Sequence, residues 1–156
     1  MTSCNKDTKF DVVIYHKNCL DGLSSAWVYW HLTKGDASIE YYWEEPSASK
    51  VPPGIYGKKV LIVDVSYEDE TLAQIAQDAE CLLVIDHHIS NQRTQDKLSY
   101  TSFDMKHSAC VGTWMYFFPD EKVPLFLKLI EASDLGRFDK KEAMAFGAYM
   151  NYIFPR

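Results

Sequence analysis

Three short stretches of this chain combine carboxylates with imidazoles in a way that suits divalent cations. His16 and Asp21 lie within His16-Lys17-Asn18-Cys19-Leu20-Asp21-Gly22, Asp64 follows an apolar run, and Asp86-His87-His88 closes another. Carboxylates bridge two hard cations well, and imidazole adds nitrogen donors that suit manganese, iron or cobalt better than calcium. Two such cations roughly 3.5–4 Å apart can orient a phosphate, lower the pKa of a bound water and stabilise a leaving oxygen. Taken singly, each residue has an ordinary explanation. Asp64 can cap the helix that follows it, His16 can be a loop or core histidine, and Asp21 before Gly22 can be a turn residue. The adjacent histidines after Asp86 are harder to dismiss, and all these ordinary readings would have to hold together at one place.

That place is set by the elements that carry the residues. Residues 10–15 form a β-branched apolar run that predicts a buried strand, followed by a helical pattern over about 23–32. Residues 37–43 suit a second strand, and 46–57 are a loop rich in Pro, Ser and Gly. The clearest strand is 60–65, with Asp64 near its C-terminal end. Ser66 followed by Asp69 predicts a helix N-cap, and the helix runs over about 69–79. Residues 81–85 predict another buried strand, 91–97 a loop and 98–103 one more strand. Helical patterns then cover about 109–118, 123–132 with Pro124 in the first turn, and 141–153. Many aromatics fall at helical spacing, among them Trp27, Tyr29, Trp30, Trp114, Tyr116, Phe117 and Phe118, and read as core. Alternating strands and helices predict a single α/β domain over residues 1–156, a doubly wound, mostly parallel sheet with helices on both faces. Ligands in such folds bind beyond the C-terminal strand ends, where all three stretches converge.

Composition narrows the function. The 156 residues are 47% hydrophobic, enough for a real core, and carry a formal net charge of −6. Affinity for long nucleic acid rests on Lys and Arg neutralising phosphates, so an extended polyanion is not the expected partner. A small phosphate compound approached through bound cations remains compatible, because a metal reverses the local field. Cys4, Cys19, Cys81 and Cys110 show no close pair and no zinc-type spacing; Cys81, which opens an apolar run, and Cys110, in an amphipathic one, read as reduced, buried thiols. The first eight residues are polar, unlike a signal peptide, and no run approaches a membrane span. The expected compartment is the cytoplasm, with no membrane partner; self-association is left open.

Here the motifs resemble the DHH phosphoesterases, a group that includes nucleases, short-oligonucleotide hydrolases, cyclic-dinucleotide phosphodiesterases and family II inorganic pyrophosphatases. The name-giving motif stands as Asp86-His87-His88, and the others as Val63-Asp64-Val65-Ser66, the His16–Gly22 stretch, and Glu131-Ala132-Ser133-Asp134-Leu135-Gly136-Arg137-Phe138. Ser108-Ala109 to Trp114 is similar to a small-residue turn entering a helix. The resemblance covers residues 12–152 and implies a ligand set. His16 and Asp64 would bind one metal, Asp21, Asp64, His87 and Asp134 the other, with Asp64 as the bridge. The implied cofactor is Mn2+, as one or two ions, with Mg2+ or Co2+ as alternatives. Asp86 would orient a histidine, and His88 would face the substrate phosphate, so Asp64, Asp86 and His88 form the implied catalytic set.

Two departures matter. Cys19 stands where many relatives carry a further aspartate; as a thiolate it would be an additional metal ligand, whereas a neutral thiol binds manganese poorly. The chain also stops at Arg156, where many relatives continue into a domain that holds the far end of the substrate. Lys17, Arg93, Lys106, His107 and Arg137 are basic residues that otherwise read as solvated surface. Of these His107, Arg137 and Lys17, together with His88, are the expected substrate contacts. The leading expectation is a metal-dependent phosphohydrolase acting on a short oligonucleotide, a cyclic mono- or dinucleotide or another small nucleotide. Pyrophosphate or polyphosphate hydrolysis comes second, a catalytically silent nucleotide-binding protein is the reading from another class, and a metal-dependent amidase ranks last.

Overall fold

Apolar side chains alternate along three strands, and that alternation builds the protein in layers. The computed structural model describes residues 4–45, 49–88 and 101–153. Within them the order is β1 (Val12–His16), α1 (Leu20–Leu32), β2 (Glu40–Glu44), β3 (Lys59–Val63), α2 (Asp69–Asp78), β4 (Cys81–Asp86), β5 (Thr101–Phe103), α3 (Ala109–Phe117), α4 (Leu125–Asp134) and α5 (Lys140–Ile153). The strands form one sheet in the order β2-β1-β3-β4-β5, and every pairing is parallel. Val12, Ile14, Val60, Ile62, Leu82 and Val84 face α2, where Leu72, Ile75 and Ala76 meet them. Val13, Leu61, Val63, Leu83 and Ile85 pack with Ala26 and Tyr29 of α1 and Phe117 of α3. A further cluster joins α1, α3 and α4 through Val28, Cys110, Val111, Trp114, Leu127 and Ile130. Burying each such aliphatic side chain contributes roughly 1.5–3 kcal/mol.

This is the doubly wound α/β arrangement expected. From β1 the chain moves outward to β2, then returns to β3 and proceeds the other way, so the winding reverses between β1 and β3. A crevice opens at such a switch point, beyond the strand ends.

Local boundaries differ from the sequence expectation for identifiable reasons. Helix α1 starts at Leu20, because extended Cys19 already serves as its N-cap. Strand β3 stops at Val63, because Asp64 takes a left-handed conformation at φ 60°. Glu68 rather than Ser66 is the N-cap of α2 and makes no side-chain cap bond; the Ser66 hydroxyl points to Asp86 at 3.5 Å. Pro124 is the N-cap of α4 instead of a first-turn residue. Trp30 is 48% exposed and does not belong to the core, whereas Tyr29, Trp114 and Phe117 do. The loop at 91–97, with Arg93, and the first residues of the strand at 98–103 lie outside the described residues.

The thiols bring the largest correction. Cys4 and Cys81 form a disulfide across 77 residues, with Cα atoms 5.7 Å apart, so the reduced reading fails for Cys81 and holds for Cys110. Spacing along the chain cannot reveal such a pair, since only folding brings the amino-terminal segment to the start of β4. Among the described residues no helix is long and apolar enough to cross a membrane.

Candidate metal centre

The ends of β1, β3 and β4 meet at the switch point. His16 is the last residue of β1, and the chain turns through Asn18 at φ 54° before Cys19 opens α1. Gly22 permits this tight return: a Cβ there would lie 2.7 Å from both the Cβ and the carbonyl oxygen of His16. At the next strand end, the Asp64 amide donates to the Ile85 carbonyl at 3.0 Å. Its left-handed backbone is one that Asp tolerates better than most residues but still costs about 1–2 kcal/mol.

Around Asp64 the expected ligands assemble. His16 Nδ1 lies 3.5 Å from Asp64 Oδ2, while His87 Nε2 and His88 Nδ1 lie 3.3 Å and 3.9 Å from Oδ1. His87 Nε2 is also 3.5 Å from Asp21 Oδ2 and 3.6 Å from Asp134 Oδ2. Three groups therefore have donor atoms within 4.8 Å of one another: His16, Cys19 and Asp64; Asp64, His87 and His88; and Asp21, His87 and Asp134. Asp64 is 1% exposed, and neither carboxylate oxygen has a hydrogen-bond partner, nor does His16 Nδ1. Buried polar groups are normally paired, and an unpaired buried carboxylate is costly. A divalent cation among these donors relieves that cost, so the residues present fit one.

The charges show the same strain. Burial and the neighbouring Asp64 charge push the Asp21 carboxyl above its ordinary range, despite the bonds it accepts from Cys110 and Ser108. Burial and the Asp21 charge raise Asp134 likewise. For His87 burial works against protonation, but Asp64 and Asp21 outweigh it and raise the pKa. The hydrogen bond to Asp86 raises His88 to about 9. Burial would raise Asp86 itself, yet His88 and the amides of His87 and His88 hold it below its usual value. Burial, aided by the Asp64 charge, pushes the Cys19 thiol up to about 12.

Asp21 has a second task that its sequence context does not announce. Its two oxygens accept the amides of Ala109 and Cys110 at 2.7 and 2.9 Å, a carboxylate set on the positive end of α3. Each carboxylate oxygen has more than one lone pair, so this clamp leaves capacity for a cation. Glu131 is the other residue that sequence reasoning missed. Buried in α4, it accepts from His107 Nδ1 and the Ser108 amide, both at 3.0 Å, and from Arg137 Nη1 at 3.1 Å. Arg137 Nη2 adds a bond to the Lys106 carbonyl at 2.6 Å. His107 and Arg137 are thus held together beside the helix that anchors Asp21. Lys17 turns to the β2 side, where its ammonium is 2.8 Å from Glu45 and 4.0 Å from the centre of the Trp43 ring.

Comparison with known proteins agrees with this construction. The sequence profile of the DHH family, N-terminal domain, matches residues 11–136. The chain belongs to the DHH family. An uncharacterized protein of Acanthamoeba polyphaga mimivirus is 30% identical over 159 residues, covering 93% of this chain and 38% of its own length. The crystal structure of an uncharacterized protein from Helicobacter pylori G27 shares the fold at a TM-score of 0.57 and 12% identity, covering 80% of this chain and 43% of that one. The chain thus spans less than half of either relative. DHH proteins are metal-dependent phosphoesterases as a family, which accords with a carboxylate–imidazole site at the switch point.

Proposed function

We propose that this chain hydrolyses a phosphate ester or anhydride bond in a small nucleotide, such as a short oligonucleotide or a cyclic mono- or dinucleotide. The observation that carries the reading is Asp64, a buried carboxylate with two unpartnered oxygens ringed by His16, Cys19, His87 and His88. His16 and Asp64 on one side, and Asp21, Asp64, His87 and Asp134 on the other, would hold divalent cations, manganese first and magnesium or cobalt as alternatives. Such ions supply Lewis acidity towards phosphate oxygens and acidify water in their shell.

The chain's own groups do the rest. His88 is fixed through Nδ1 by Asp86 at 2.7 Å, which favours the protonated ring and leaves Nε2 to donate to a phosphate oxygen. Its side chain is 38% exposed, so a substrate can reach it. His107 and Arg137, clasped by Glu131, would bind the phosphate or the base from the flank; Lys17, engaged by Glu45 and Trp43, contributes less than its sequence position suggested. The net charge of −6 favours a small substrate over long nucleic acid or an anionic membrane surface. A hydrolysis screen with added manganese tests the proposal, using cyclic nucleotides, short RNAs and pyrophosphate, with Asp64→Ala as the blank. Metal-dependent turnover of a nucleotide is the expected result. Turnover of pyrophosphate alone would reassign the substrate class, and binding without turnover of any of them would reduce the protein to a nucleotide-binding member of the family.

A further inference from the structure

Cys19 and Cys110 are the free thiols of the structure, and they occupy different surroundings. Cys110 is fully buried, beside the Ser108 hydroxyl at 3.3 Å and the Leu127 carbonyl at 3.8 Å. Cys19 is partly exposed and is the N-cap of α1. Its Sγ, a His16 ring nitrogen and an Asp64 oxygen all lie within 4.8 Å of one another. Two of these partners carry the unanswered groups already described: His16 Nδ1 and both oxygens of Asp64 are buried and unpartnered. Of the other groups, Asp64, His87 and His88 share Asp64 with this one, while the cluster of Asp21, His87 and Asp134 offers two carboxylates and an imidazole and no sulfur.

The two clusters therefore differ in softness. A nitrogen–sulfur–oxygen set prefers zinc or cobalt, whereas an oxygen-rich set accepts manganese or magnesium. We infer that the His16–Cys19–Asp64 pocket binds a borderline divalent cation such as zinc through a Cys19 thiolate, leaving the Asp21–His87–Asp134 group to a harder ion. The inference rests on the metal-site reading above and makes the two positions chemically unequal. On binding, the sulfur–hydrogen bond of Cys19 is replaced by a sulfur–metal bond and one proton passes to solvent, with no change of oxidation state.

Cobalt(II) is the probe, because its visible bands report binding and a near-ultraviolet charge-transfer band reports sulfur. The full metal-free chain is titrated anaerobically, without added thiol, as wild type, Cys19→Ser, Cys19→Asp and Cys110→Ala. The charge-transfer band is expected in wild type and Cys110→Ala and is lost in both Cys19 variants, while visible bands remain in all four. In competition, Cys19→Asp should lower the preference for zinc over manganese by roughly tenfold or more, the scale on which even residues supporting a ligand act. Visible bands without the sulfur band in wild type, or a sulfur band that survives Cys19→Ser, would overturn the inference and leave the metal site standing. A wild-type protein with no visible cobalt bands would overturn both.

Discussion

The ends of β3 and β4 lie side by side, and each carries a buried aspartate: Asp64 and Asp86, 1% and 2% exposed. Their surroundings are opposite. Asp86 accepts the His87 amide at 2.8 Å, the His88 amide at 3.3 Å and His88 Nδ1 at 2.7 Å, with the Ser66 hydroxyl at 3.5 Å. Asp64 has no hydrogen bond to either oxygen and a left-handed backbone. One carboxylate holds the strand end together through hydrogen bonds, and the other faces the imidazoles of His16, His87 and His88 without one. A buried carboxylate that faces imidazoles but receives no hydrogen bond marks function more clearly than one the fold satisfies.

The sharpest way to break this contrast is Asp64→Asn. Turnover should fall by about a hundred- to a thousandfold, the scale of losing a principal electrostatic contact in an active site. Stability should move the other way. Without metal the variant should melt at or above wild type, because a charge is removed from a crowded acidic site. Manganese at about a hundredfold excess over Kd should stabilise wild type by about 2.7 kcal/mol, a rise of roughly 5–10 °C for a domain of this size, and leave the variant unmoved. Substantial kcat or an intact metal-dependent rise in Asp64→Asn would end the assignment of Asp64 as the bridge.

Glu131 extends the paired side of the comparison. Glu131→Gln removes the charge that His107 and Arg137 share, and should lower stability by about 1–3 kcal/mol in denaturant melts, with or without metal. In kinetics Arg137→Ala should raise KM and leave kcat nearly unchanged, as for lost binding that ground and transition states share. An Arg137→Ala enzyme with unchanged KM and a collapsed kcat would move Arg137 into the chemistry.

The smallest expected effect concerns the Asp86–His88 pair. In metal-free protein the His88 ring should titrate near 9 by NMR, and Asp86→Asn should return it towards its ordinary value of about 6.5. Because the folded pKa is raised, the stability from His88 is fully present below about pH 6.5 and is lost as pH rises through 9. Wild type should therefore weaken more steeply than Asp86→Asn across that interval. Asp86, whose pKa is lowered, adds stability that disappears only as pH falls below the usual carboxylate range. Parallel stability profiles for the two proteins would show that the pair contributes nothing measurable.

Much of this site was legible in advance. The apolar runs of β1, β3 and β4 are short, β-branched and bounded by polar residues, so their existence follows from local chemistry. Parallel pairing then places the residues after them on one edge, which is why His16, Asp64 and His87 could be expected together. The bounds of β2 were blurred because a short edge strand carries little burial signal, and β2 is largely exposed; β5 ends at Phe103 as expected.

The sequence by itself determined the layers of the fold and the residue types at the strand ends, because hydrophobic period and motif order are local properties of the chain. Tertiary structure alone decided which carboxylates stay unanswered. It brought α3 to Asp21 across 88 residues, Glu131 to His107 and Ser108, and Cys4 to Cys81, and it drew Lys17 to Glu45 instead of the ligand cluster. No spacing encodes these partnerships. A hydrogen bond or disulfide forms where packing puts two groups within reach, and that distance exists only once the sheet and its helices have closed.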